Sequence, residues 1–322
     1  MTATPQDAHD AHDHHHPMPG QGKAFGIGIA LNLSFVIIEA YYGWASNSLA
    51  LWADAAHNLG DVGGLILAWA AFAAARIKPD DRHTYGWRRG SILASFINAA
   101  LLLVAMGMLG WEAIHRLQDP NPIIAGTVMT VAAIGVLING ITAAFFMAGR
   151  EHDLNVRGAF LHMLADALVS FGVVIAGAIY WWKGWTWVDP LTSVIIAVVI
   201  LAGTWSLFKQ SLHLMFDGVP DHIKLTDVRE CLNHVDGVNA VHDLHVWAMS
   251  TADLALTAHL DVDTRIPPNT ILKQAQHQLR KQFGIVHCTL QLEIADADSP
   301  CIHHCDAHPH DHGHDHKHGH QH

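Results

Sequence analysis

The chain has 322 residues, enough for a membrane domain and a small soluble one, and 51% of them are hydrophobic, more than ordinary soluble domains carry. A formal net charge of −11, with the lysines and arginines scattered rather than gathered in a patch, argues against nucleic acid as a partner. Acidity goes with histidine: there are 28, five of them in the first sixteen residues and ten after Pro300.

Residues 1–22, rich in His, Asp, Pro and Gly, cannot bury a core and read as a disordered tail. Such a tail is either plain solvated chain or a low-affinity collector of divalent metal, because interspersed imidazoles and carboxylates chelate without fixed geometry. A six-helix membrane domain is expected over residues 23–210, with apolar segments near 24–42, 49–75, 90–114, 123–148, 159–182 and 188–208. Each is close to or above the roughly 20 residues a spanning helix needs. The polar start carries no cleavable signal pattern, so the first span is expected to act as its own anchor. An even count puts both termini on one side. Lys23, Arg76, Lys78, Arg82, Arg88, Arg89, Arg150, Arg157 and Lys209 mark that side as cytoplasmic, against only Arg116 and Lys183 opposite. Trp44, Trp52, Trp181, Trp182, Trp185 and Trp187 form the expected aromatic belt at the far interface.

The second span holds Asp54, His57 and Asp61 in an otherwise apolar run. Each ionisable group near a bilayer centre costs roughly 2.5–3.5 kcal/mol on insertion scales, so a cluster points to a pathway or a ligand. On a helix, His57 and Asp61 lie about 40° apart in azimuth and about 6 Å apart in rise, on one face. The fifth span repeats the spacing with His162 and Asp166. A single pair is as well explained by a satisfied polar link between helices. Two pairs on adjacent helices would present two imidazoles and two carboxylates, a donor set that suits tetrahedral Zn²⁺. Glu39 lies late in the first span, and Asn98 and Asn139 in the third and fourth read as helix-to-helix hydrogen-bonding residues.

After a linker at 211–220 the composition becomes mixed. Residues 221–236 read as an amphipathic helix ended by Gly237, followed by two alternating strands, a helix and a third strand. That order over residues 221–296 predicts a cytoplasmic α+β domain of ferredoxin-like type, two helices covering a three-stranded sheet. His242, His245, His259 and His287, with Asp261 and Glu293, fall on the strands and their ends. Any one of them reads as an ordinary surface residue. As a group they form a candidate metal site in which His259 and Glu293 meet across adjacent strands. Residues 297–322 read as a second disordered tail, and Cys301 and Cys305 in its CIHHC run form a soft-ligand cluster typical of a reduced compartment.

With these residues in hand, the chain resembles the cation diffusion facilitator family of zinc exporters and zinc transporters. The resemblance covers residues 24 to 296 and rests on SLALWADAAHNLGD, TYGWRRGSILASFINA, HMLAD, GVP, GVNAVHDLHVWAMS and HCTLQLE. It implies that His57, Asp61, His162 and Asp166 form the transport site, that the protein is a homodimer, and that the cytoplasmic domain binds zinc. The expected activity is efflux of Zn²⁺, with Cd²⁺ or Co²⁺ as further cargo, in exchange for protons across a bacterial inner membrane. A membrane metalloenzyme is disfavoured because catalytic zinc keeps an open position beside three protein ligands. A metal sensor or buffer that never transports leaves the intramembrane pairs unexplained.

Overall fold

A computed structural model describes residues 21–147, 154–263 and 265–294. Both His-rich tails, with Cys301 and Cys305, lie outside the described residues. The chain divides between Ser211 and Leu212 into two units.

The first unit is all helix: α1 (Gln21–Ala45), α2 (Leu49–Ala75), α3 (Gly90–Gln118), α4 (Ala125–Met147), α5 (Leu154–Lys183) and α6 (Val188–Met215). Of these, α2 to α6 are long and apolar enough to cross a membrane. Their outward faces carry large apolar side chains such as Trp69, Met108, Leu137, Phe145 and Val199, all exposed, which is the surface a lipid solvent requires. Helices α3 and α6 run four and seven residues past the apolar stretches expected to end at 114 and 208. A helix outlasts its apolar stretch because each added residue satisfies its own backbone, while long polar side chains reach back to the interface.

Inside the unit α1 packs on α2 and α4, α2 on α3 and α5, and α4 on α5. Leu51, Met106, Val128, Val131, Val173 and Ile196 form a common buried cluster. Small residues set the approach distances. A Cβ on Gly135 of α4 would lie 3.1 Å from both the Phe35 ring of α1 and Ser170 Oγ of α5, so three helices meet there.

The second unit runs α7 (Leu225–Asn233), β1 (Val238–Ala248), β2 (Leu254–Val262), α8 (Pro268–Phe283) and β3 (His287–Ile294). The sheet order is β1-β2-β3, with β1 antiparallel and β3 parallel to β2. Helix α8 buries Ile271, Ala275 and Leu279, one per turn, and Leu232, Leu256, Leu260 and Ile285 complete a closed core. Gly284 takes φ 68° and ends α8 with Ile285 N donating to Leu279 O, a left-handed cap that favours glycine. Helix α7 is shorter than the expected 221–236. Pro220 closes a turn by accepting from Ile223 N at 2.8 Å, and Lys224 is extended, so the helix cannot begin before Leu225.

Candidate metal centre

Helix α2 starts at a cap: Ser48 is extended and its hydroxyl accepts from Leu51 N. A second cap comes from α6, where Asp189 Oδ2 accepts from Leu49 N at 2.9 Å and Oδ1 accepts from Ser48 Oγ at 2.5 Å. The start of the helix that carries His57 and Asp61 is thereby fastened to another span.

The two His/Asp pairs meet. His57 Nε2 lies 3.6 Å from Asp61 Oδ2 and 3.3 Å from Asp166 Oδ1, and His162 Nε2 lies 3.2 Å from Asp61 Oδ2 and 3.6 Å from Asp166 Oδ2. Each imidazole therefore touches both carboxylates, with the rings 6.0 Å apart at 82°. For Zn–N and Zn–O bonds of about 2.0–2.1 Å, the edge of a ligand tetrahedron is about 3.3–3.4 Å. The four contacts fall near that length; with one atom from each residue, His57, Asp61 and Asp166 lie within 4.8 Å of one another, and His162 joins them through Asp61 and the second oxygen of Asp166. Asp61 Oδ2 has no hydrogen-bond partner although two imidazole nitrogens are near it, an arrangement better suited to a shared cation than to a proton bridge.

A cavity of about 370 Å³ reaches this ring. Its walls include Asp61, His162 and Asp166, then Gly64 and Ala68 further along α2, and Ser95 and Asn98 from the start of α3. It thus leads from the ring toward the end of the unit where residues 76–89 join α2 to α3. Asn98 lines it and packs so closely on α2 that a Cβ on Gly64 would fall 2.8 Å from Asn98 Nδ2.

In the sheet, His242 and His259 face each other across β1 and β2, and Asp261 pairs with Glu293 across β2 and β3. His259 Nδ1 lies 2.9 Å from Glu293 Oε1, and His242 Nε2 lies 3.3 Å from Glu293 Oε2 and 3.4 Å from Asp261 Oδ1. His242, His259 and Glu293 each offer a ligand atom within 4.8 Å of the other two. His245 joins indirectly, through Asp243: its Nε2 is 3.0 Å from Asp243 Oδ1, and Asp243 Oδ2 is 3.5 Å from His259 Nε2. His287 is not part of the cluster. It pairs with Ala255 at the other end of β3, six residues before Glu293, which is about 20 Å along a strand.

Asp243 was missed by sequence reasoning. It takes φ 47° at a bulge where three steps on β1, from His242 to His245, match two on β2. Its carboxyl is held below the usual carboxylate range by the hydrogen bond from His245 and then by the charges of His245, His259 and His242. A readable signal existed, since the odd spacing of His242 and His245 cannot put both on one face of a regular strand.

Residues 26–216 match the cation efflux transmembrane domain, and residues 220–295 match the cation efflux protein cytoplasmic domain. The metal cation efflux system protein CzcD of Cupriavidus metallidurans is 38% identical over 291 residues, covering 90% of each chain. The zinc transporter ZitB of Escherichia coli is 35% identical over 303 residues, covering 91% of this chain and 96% of its own. The cadmium, cobalt and zinc/H(+)-K(+) antiporter of Bacillus subtilis is 34% identical over 285 residues, covering 87% and 91%. The chain belongs to the cation diffusion facilitator family, whose members are membrane transporters of divalent metal cations and not enzymes.

Proposed function

We propose that the protein exports Zn²⁺ from the bacterial cytoplasm in exchange for protons, by alternating access, as a homodimer of six-span protomers in the inner membrane. Both termini and the ferredoxin-like domain then lie in the cytoplasm, in keeping with the basic residues of the loop at 76–89. The observation that carries this reading is the ring of two imidazoles and two carboxylates, held by two spans, with edges of 3.2–3.6 Å.

His57, Asp61, His162 and Asp166 are the substrate ligands in this reading. Zn²⁺ binds neutral imidazole and ionised carboxylate, so metal and protons compete for the same atoms. An imidazole with an unperturbed pKa of about 6.5 exchanges that way between a neutral cytoplasm and a more acidic exterior. The cavity beside the ring runs toward the loop assigned to the cytoplasm, as the loading state of the cycle requires. Cd²⁺ and Co²⁺, named for the Bacillus relative, are further candidate cargo.

In the cytoplasmic domain His242, His259 and Glu293, with Asp261 beside them, are proposed to hold a zinc ion that reports cytoplasmic metal and tightens the dimer. The histidines of the two tails collect metal for the ring. Purified protein in sealed proteoliposomes carrying a zinc-sensitive dye tests the reading. Zinc should enter the lumen, and faster when the lumen is acidic. Binding without passage would leave a sensor or buffer in its place.

A further inference from the structure

Beside the ring lies a pair of ionisable groups that binding of metal does not use. Glu39 of α1 and Asp54 of α2 are both fully enclosed, and Glu39 reaches α2 at Asn58, one turn beyond Asp54. Asn58 Nδ2 donates to Glu39 Oε2 at 3.2 Å, and Ser170 Oγ donates to Asp54 Oδ2 at 2.6 Å. The remaining oxygens, Glu39 Oε1 and Asp54 Oδ1, have no hydrogen-bond partner. Ionised carboxylates only accept, so a hydrogen carried by one member is what would let it donate to the other. Neither group makes an ion pair with a lysine or arginine among the described residues. Two enclosed negative charges without a cation, about one helical turn apart, would be far costlier than one.

The pair is wired to the ring at both sides. Asp54 precedes His57 by one turn of α2, and Ser170 follows Asp166 by one turn of α5. Asn58, which bonds Glu39, is next to His57 and also lines the cavity, so a single amide separates the pair from the space that reaches the ring. The titratable groups around the pair are His57 and Asp61 on α2 and His162 and Asp166 on α5, while α4, packed on α1, carries none. A divalent charge entering the ring adds a strong positive potential at short range in a weakly screening interior, which favours loss of the shared proton.

We propose that Glu39 and Asp54 form a proton-binding site separate from the metal ring, holding one proton in common when the ring is empty and releasing it when a divalent cation binds there. The proton leaves as a hydrated proton through the cavity past Asn58, and the pair regains one after the metal departs. This inference rests on the metal/proton exchange reading and deepens it, because it places part of the proton cargo on residues that do not ligate metal.

Infrared difference spectroscopy on the full-length protein, with Zn²⁺ added, tests it directly. Wild type should lose the carbonyl stretch of a protonated carboxylic acid on zinc binding, and Glu39→Gln and Asp54→Asn should lack that change. Both variants keep the shape and supply an amide donor in place of the shared hydrogen. In proteoliposomes with a lumenal pH dye, they should bind zinc normally and move about one proton fewer per zinc. A carboxyl band unaffected by zinc in wild type overturns the proposal, as does an unchanged proton count in both variants. If wild type itself moves zinc without protons, the exchange reading falls and this site falls with it. If only the variant effects are missing, the exchange reading stands alone.

Discussion

His57 of α2 and Asp166 of α5 lie 3.3 Å apart across 109 positions of sequence. That contact, with its counterpart between Asp61 and His162 at 3.2 Å, converts two local pairs into one ring. Asp61→Ala or Asp166→Ala should therefore abolish zinc flux in proteoliposomes, since each carboxylate touches both imidazoles. A ligand bound only by the folded state stabilises it by about 2.7 kcal/mol at a hundred times its Kd. Zinc should raise the thermal midpoint of wild type, and the part of that rise owed to the ring should vanish in Asp166→Ala. Flux at the wild-type rate in either variant would remove these carboxylates from the site.

His57→Asp should broaden metal choice toward Cd²⁺ or Mn²⁺, because a harder oxygen donor replaces a borderline nitrogen and relaxes the tetrahedral preference. Competition flux assays with paired metals read this out. An unchanged zinc-to-cadmium ratio would show that the histidine does not discriminate.

Gly64 and Asn98 make a test of the cavity. A methyl at Gly64 would sit 2.8 Å from the Asn98 amide nitrogen, the mobile end of a side chain with room to swing. Gly64→Ala should therefore fold normally but push Asn98 across the path, raising the half-saturating zinc concentration several-fold. Asn98→Ala on top of it should restore the value. A strictly additive double-mutant cycle would mean that the two residues do not share the path.

Much of this was legible in the residues. Four-residue spacing on a helix fixes a face, so the pairs His57/Asp61 and His162/Asp166 could be read directly. Which carboxylate faces which imidazole across the gap depends on how α2 packs against α5, and periodicity holds no record of that. Glu39 and Asp54 were visible as polar residues in apolar spans, but their nearness requires α1 and α2 side by side. In the sheet, the strand assignments let His259 and Glu293 meet across adjacent strands, while the place of His242 opposite His259 depends on the β1–β2 register. The same assignments also admitted His287, because a list of strand histidines does not say how far along β3 each one lies. Helix α7 was overextended because its flanks keep a helical pattern while the Pro220 turn blocks the backbone.

Asp243 gives the cytoplasmic domain a pH signature. Its folded carboxyl titrates below its unfolded value, with the His245 hydrogen bond as the first cause, so its contribution is present above about pH 4 and fades as pH falls through the lower folded value. The stability difference between wild type and Asp243→Asn should shrink as pH falls below about 4. Denaturant titrations of both proteins across that range check the sign. A difference that grows as pH falls below about 4 would contradict it.

The cap that α6 gives α2 should matter for stability more than for metal choice. Asp189 and Ser48 are both buried, and removal of the carboxylate leaves Leu49 N–H and the Ser48 hydroxyl enclosed without that acceptor. Loss of a helix cap costs about 0.5–2 kcal/mol, and each orphaned buried donor costs about 1–3 kcal/mol. Asp189→Ala should accordingly lower the thermal midpoint, whereas Asp189→Asn keeps one acceptor oxygen for Leu49 N and should lose less. His57 stands eight residues beyond Leu49, roughly 12 Å down the helix, so its partners on α5 still fix the ring once the protein is folded. Zinc affinity measured below the unfolding transition should stay near wild type in both variants. Equal losses of stability in the alanine and asparagine forms would mean that the charge at this end matters and the hydrogen-bond geometry does not, and a large fall in zinc affinity would show that the cap sets the rotation of α2 at the ring.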